Sequence, residues 1–235
     1  MKKNPILVAL DVSDPDKAAE LVNLLSPFVA YFKVGLEMLM GSITDRRIAQ
    51  FISELGPKMF VDCKLHDIPA TMAATAKNIV ALKPAMFNMH ASAGVEAMSS
   101  VVAVKGDSLV LAVTVLTSLD EDNCHLIYGD PSKAKVLQLA RDAKLAGADG
   151  IICSPKELEF LGKQKELTSL IKVTPGVRPV WAAANDQKRM MTPGEAIKAG
   201  ASYLVIGRPI TNPPTTMGSP VNAVEEILSE INTVA

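Results

Sequence analysis

The chain of 235 residues has few aromatic residues, only 4% of the total, and only three cysteines. Cys63, Cys124 and Cys153 are odd in number and far apart, which argues against a disulfide framework and paired zinc ligands and predicts reduced, mostly buried thiols. An excess of one charge is also missing, because 24 basic residues meet 25 acidic ones and leave a formal net charge of -1. Such a balance supplies no global field that would draw the protein to nucleic acid or an anionic membrane, and neither is an expected partner. No apolar run approaches the roughly 20 residues that a membrane helix needs. The early apolar run of residues 6–10 is cut off by Asp11 before a signal-peptide core forms, so a cytoplasmic location is expected. The histidines His66, His90 and His125 are not spaced as zinc ligands; each is expected to be structural, and no metal is expected.

What the chain does have is aliphatic residues: 49% is apolar, and 11 methionines help to fill a sizeable core. Short runs rich in branched residues recur along it, each followed by turn residues and then a helical pattern. Strands are predicted over residues 6–11, 31–35, 58–62, 86–90, 109–115, 150–153, 171–174 and 203–207. Between them, apolar residues recur at spacings of three and four. Asp14 can cap a helix that opens at Pro15 and carries Ala18, Leu21, Val22 and Leu25 on one stripe. Ile48, Phe51, Ile52 and Leu55 form a second stripe that Gly56 can end, and Val221, Val224, Leu228 and Ile231 mark the last helix. Residues 145–152 and 198–206 echo one another as helix end, glycine stop and strand. No linker divides the chain, so residues 1–235 are expected to form one α/β domain, a (β/α)8 TIM barrel, which typically needs about 250 residues. The structural alternative is an open doubly wound sheet, but its G-x-G-x-x-G turn is absent after the first strand.

In such a barrel, chemistry sits at the carboxyl ends of the strands. Asp11 closes the first predicted strand, Lys33 lies in the second, and the third leads into Asp62-Cys-Lys-Leu-His-Asp-Ile-Pro. Strand alternation puts Asp62 and Lys64 on one face, opposite Val61 and Cys63. If Val61 and Cys63 pack under the helices, both charges point into the barrel mouth. Charges in a narrow mouth are costly unless paired, so an alternating acid and base there indicates a use. The competing possibility is that the strand ends early and Asp62, Lys64 and Asp67 are solvated loop charges. A charge cluster of this kind suits charge stabilisation and proton delivery at carbon.

A phosphate end is also legible. Strand seven runs into Gly176-Val-Arg-Pro and strand eight into Gly207-Arg-Pro, after the two strands where barrels often bind phosphate. Gly207 lets backbone N–H groups approach an anion and Arg208 can fork two hydrogen bonds onto it, although a plain turn and a surface arginine are the alternatives. The long loop of residues 175–192 is expected to be a lid or, with its alanines and Trp181, a passive surface loop.

Taken in order, Asp11, Lys33, Asp62-Cys-Lys-Leu-His-Asp-Ile-Pro, Val115-Leu-Thr-Ser, Gly176-Val-Arg-Pro, Asp186-Gln-Lys-Arg and Ile206-Gly-Arg-Pro resemble the orotidine 5′-phosphate decarboxylase family over essentially the full length. The resemblance implies cofactor-free decarboxylation of orotidine 5′-phosphate to UMP, the last step of de novo UMP synthesis. It implies that Lys64 stabilises the C6 carbanion and protonates it, that Asp62 faces the substrate carboxylate, and that Lys33 and Asp67 complete the array. It further implies a homodimer in which Asp67, Ile68 and Thr71 reach the neighbouring site. Asp11 and Lys33 would bind the ribose, Thr117 the pyrimidine, and Arg178, Gln187, Gly207 and Arg208 the phosphate end. Cys63 and Ala70 depart from the usual pattern, and residues 180–184 are less family-like. The remaining alternatives are a magnesium-dependent sugar-phosphate decarboxylase or aldolase of the same fold, and a phosphate-binding barrel that serves as a sensor.

Overall fold

A computed structural model describes residues 4–182 and 191–234. Eight parallel strands close into a barrel in sequence order: β1 (Ile6–Ala9), β2 (Tyr31–Val34), β3 (Met59–Leu65), β4 (Met86–His90), β5 (Leu109–Val113), β6 (Gly150–Ile152), β7 (Ile171–Pro175) and β8 (Tyr203–Ile206). Pairing of β1 with both β2 and β8 closes the ring, so the sheet is not the open, doubly wound alternative. Every predicted strand is present. Five end one or two residues earlier than the apolar runs imply, at Ala9, Val34, Val113, Ile152 and Ile206, because the chain turns out of the ladder at the mouth.

The helices surround this ring: α1 (Pro15–Leu25), α2 (Leu36–Gly41), α3 (Arg46–Leu55), α4 (Pro69–Ala81), α5 (Val95–Val102), α6 (Glu121–Tyr128), α7 (Ser132–Leu145), α8 (Leu158–Gly162), α9 (Pro193–Lys198), α10 (Arg208–Thr211) and α11 (Pro220–Val234). Their starts follow local chemistry. The Asp14 side chain accepts from the Asp16 N–H and Pro15 opens α1, satisfying donors that the first turn leaves without partners. Ala18, Leu21 and Leu25 are then buried against the barrel. At the end of α11 the buried seam is Ala223, Val224, Ile227 and Ile231, with Val221 and Leu228 only partly covered at its edge.

Alternation along each strand sorts the core into two shells. Ile6, Val8, Phe32, Val34, Val61 and Phe87 face outward into the layer beneath the helices, while Leu7, Phe60, Met86, Leu111, Val173 and Tyr203 fill the barrel interior. Burying each large side chain contributes about 1.5–3 kcal/mol. Of the few aromatics, Phe60, Tyr31 and Tyr203 belong to the interior, where Tyr31 and Tyr203 meet edge to face with ring centroids 5.8 Å apart, and Phe32 and Phe87 belong to the outer layer. Gly150 is required where β6 passes β7, because a β carbon there would lie 2.4 Å from the Ile171 carbonyl oxygen.

Among the described residues no helix is long and apolar enough to cross a membrane. All three cysteines are free thiols, Cys124 and Cys153 buried and Cys63 partly so.

Candidate active site

The β3 strand decides how charges enter the mouth. It does not end at residue 62 but continues through Lys64 to Leu65, which overturns the early-ending alternative for Asp62 and Lys64. The continuation is irregular: Val61 pairs with Phe87 and Leu65 with Met89, so β3 advances four residues while β4 advances two. Lys64 absorbs the excess with φ 51, a left-handed conformation that is costly for a residue with a β carbon. Its N–H finds no regular ladder partner there and donates instead to Asn88 Oδ1 at 2.7 Å.

The bulge brings the charges together. Lys64 Nζ lies 2.7 Å from Asp62 Oδ1, and Lys33 Nζ lies 3.2 Å from Asp62 Oδ2 and 2.9 Å from Asp11 Oδ1. Asn88 Nδ2 donates to Asp62 Oδ1 at 2.7 Å. Asp62 is only 8% exposed, so its charge depends on these partners. Burial acts to raise the Asp62 pKa, but Lys33, Lys64 and Asn88 outweigh it and hold the carboxyl below its ordinary value. Burial likewise acts to lower the Lys33 pKa, and the Asp62 and Asp11 carboxylates hold the ammonium above the usual lysine value. Two cations and two anions thus alternate from the turn after β1 across β2 and β3 as an ordered row of balanced charge.

A cavity of about 200 Å³ opens over Lys33, Asp62 and Lys64 of this row, and Phe60, Val113 and Thr117 also line it. A cleft of about 300 Å³ follows β7 and β8 and is lined by Arg178, Trp181 and Arg208. Gly207, next to Arg208, lies against the end of β1 and Asp11: a β carbon on it would lie 3.5 Å from Ala9 Cβ and 3.7 Å from Asp11 Oδ2. The Arg178 N–H donates to the Met191 carbonyl at 3.1 Å, which ties the β7 side of the long loop to its far end.

Of the five predicted charges the structure joins four. Asp67 is exposed, and its Oδ1 accepts from the Ile68 N–H at 2.7 Å. Ile68 and Thr71 are exposed beside it. Gln187, Asp186 and the rest of residues 183–190 of the expected lid lie outside the described residues.

Comparison with known proteins then identifies the lineage. Residues 4–227 match the model of the Orotidine 5′-phosphate decarboxylase / HUMPS family. The chain is 41% identical to the orotidine 5′-phosphate decarboxylase of Geotalea daltonii, over 96% of this chain and 95% of that one. It is 40% identical to the enzyme of that name from Moorella thermoacetica, over 99% and 94%. The crystal structure of orotidine 5′-phosphate decarboxylase from Lactobacillus acidophilus superposes with a TM-score of 0.79 at 32% identity, covering 98% of this chain and all of that one (100%). The chain belongs to this family.

Two features of this family member were not read as site elements from the sequence. Asn88 is fully buried in β4 and touches both Asp62 and the Lys64 backbone; a polar residue amid the apolar run of 86–89 was the available signal. Gly35 leaves room for the Lys33–Asp11 pair, since a β carbon there would lie 3.2 Å from Lys33 Nζ and 3.6 Å from Asp11 Oδ1. His66 and His90 pair at the rim with ring centroids 5.3 Å apart, and burial, then His66 and Lys64, lower the His90 pKa. Cys63 packs toward the helices as expected, its Sγ donating to the Asn88 carbonyl at 3.2 Å, and burial pushes its thiol up to about 11.

Proposed function

We propose that this enzyme decarboxylates orotidine 5′-phosphate to UMP and carbon dioxide without a cofactor, in pyrimidine biosynthesis. The single observation that carries the reading is the continuous row Asp11, Lys33, Asp62, Lys64, in which one buried carboxylate is bracketed by two ammonium groups. Breaking the bond between C6 and its carboxylate leaves an electron pair on C6 that the ring cannot delocalise well. The Lys64 ammonium stabilises that pair electrostatically and then transfers its proton to C6; the neutral amine regains a proton from solvent. Asp62 faces the substrate carboxylate, and loss of neutral carbon dioxide relieves that opposition. Lys33 is hydrogen-bonded to Asp11, and these two groups bind ribose hydroxyls, while Thr117 meets the pyrimidine. Arg178, Gln187, Gly207 and Arg208 hold the phosphate, so that binding far from C6 positions the reacting carbon.

Asp67, Ile68 and Thr71 act in the neighbouring site of a homodimer. In support, Asp67 joins no ion pair found among the described residues, and Ile68, 65% exposed, shares the strand-end side of the barrel with exposed Leu36, Met40 and Ile43. Apolar side chains at 48–76% exposure are what a second subunit would cover.

The test is the loss of orotidine 5′-phosphate absorbance on wild type and Lys64→Ala, with a chelator present. Turnover is expected for the wild type and is abolished in the variant. A Lys64→Ala protein that retains wild-type turnover removes the proton donor, and a wild type inactive on this substrate removes the reaction. Mixing Asp67→Asn with Lys64→Ala should restore activity through mixed dimers, and no recovery despite proven subunit exchange counts against a shared site.

A further inference from the structure

We infer that Asn88 is the positioning residue of the charged row, holding Asp62 and Lys64 in register through two hydrogen bonds from one side chain. The inference rests on the decarboxylase reading for its catalytic consequence but on geometry for its structural one. Asn88 is fully buried at the middle of β4. Its Oδ1 accepts from the Lys64 N–H and its Nδ2 donates to Asp62 Oδ1, each at 2.7 Å. The first bond lies at the irregular step of β3, where the strand outruns β4 and Lys64 takes φ 51. Without an acceptor there, the Lys64 backbone has nothing to hold it in that conformation, and its side chain loses its aim. The second bond leaves the Asp62 carboxylate pinned by three groups, Lys33 and Lys64 being the others. An amide alone among side chains of this length offers an acceptor and a donor without adding charge. The charged neighbours are Asp62 and Lys64 on β3, Lys33 beyond them on β2 and His90 further along β4; the facing residues of β5, Leu109–Val113, carry none.

Asn88→Asp separates the two bonds. It keeps the acceptor for the Lys64 N–H but places a carboxylate against Asp62 when ionised; when protonated it again supplies a donor. At pH 8 kcat should fall by about 30-fold or more with KM changed less than about threefold, and kcat should recover as pH drops below about 6. A pH-independent loss, or a profile like that of the wild type, overturns the inference, because packing alone produces no acid recovery. Asn88→Ser, whose hydroxyl is too short to serve both partners, covers the case in which Asn88→Asp does not fold. Hydrogen exchange at the Lys64 amide is the second readout: protection should fall by about tenfold or more in Asn88→Ser. Unchanged protection also overturns the inference. Should the wild type fail to turn over orotidine 5′-phosphate while the exchange pattern holds, the proposed reaction is wrong and the positioning role stands.

Discussion

Asp62 and Glu157 are two carboxylates on walls of the same barrel mouth, and they titrate in opposite directions. Asp62 lies under the cavity over the charged row; Glu157, just past β6, lines a neighbouring cavity of about 410 Å³ that shares Val115, Leu116 and Thr117 with it. Burial acts to raise both. At Asp62 two lysines and Asn88 outweigh burial and the carboxyl is held down. At Glu157 the compensation found among the described residues is the Ser154 N–H, donating at 2.8 Å, while Glu121 adds repulsion, and the carboxyl is pushed up to about 7. A buried acid stays charged where it is matched by cations, so the position of the lysines decides which wall of the mouth is charged.

The largest expected effect comes from removing the lysine that acts on the reacting carbon. Lys64→Ala should lower kcat by about 10⁴-fold, the combined loss of proton delivery and electrostatic stabilisation, with the circular-dichroism spectrum unchanged. A drop smaller than about tenfold would show that Lys33 alone makes the mouth reactive.

Removing the matched carboxylate comes next. Asp62→Ala leaves Lys64 without its carboxylate partner and Lys33 with only the exposed Asp11, and should cost about 3 kcal/mol in urea unfolding. The pH dependence follows from the depressed Asp62 pKa. Its contribution is present above the unfolded value of about 3.9 and is lost as pH falls through the folded one, so wild-type stability should be flat from this group between about pH 5 and 8. Asp62→Asn should lack that part of the acid limb.

A cation without a buried partner provides the contrast. Arg208 is exposed beside Gly207, so Arg208→Ala strands no opposite charge and should change stability by about 0.5 kcal/mol or less. Catalytic efficiency should nevertheless fall about 10–100-fold, the loss of charge-assisted bonds to phosphate. Equal losses with a substrate lacking the phosphate would place Arg208 elsewhere in the mechanism.

The barrel was legible because each buried parallel strand is a compact branched run and each helix has its own stripe and stops. Gly147 and Gly200, which close the two echoing units, both adopt positive φ, as a helix stop requires. The four-charge row was legible because charged residues at strand ends are few. What sequence could not supply was long-range pairing. The bulge in β3 depends on Asn88, 24 positions from Lys64, and alternation alone gave the correct face for Lys64 without the left-handed backbone that aims it. Glu157 carries no sequence signal, because its altered titration comes from burial by neighbours that no local motif announces. Asp67 is exposed and stands apart from the row, and the alternation that placed Asp62 and Lys64 on one face does not extend past the end of β3 at Leu65.

The smallest effect tests the unmatched acid. Glu157 has a folded pKa above its unfolded one, so the folded state binds more protons over the intervening range. Its penalty is absent below about pH 4.3, grows as pH rises to about 7, and stays constant beyond that. Glu157→Gln keeps an acceptor for the Ser154 N–H and removes the charge. The variant should therefore be more stable than the wild type by about 1–2 kcal/mol at pH 8 and no different at pH 4, measured as urea midpoints with equal slopes. A gain of the same size at both pH values would mean that Gln packs better, and the opposition between the two acids would lose its electrostatic basis. A loss at pH 8 would mean that a cation reaches Glu157 after all, making it a second matched carboxylate like Asp62.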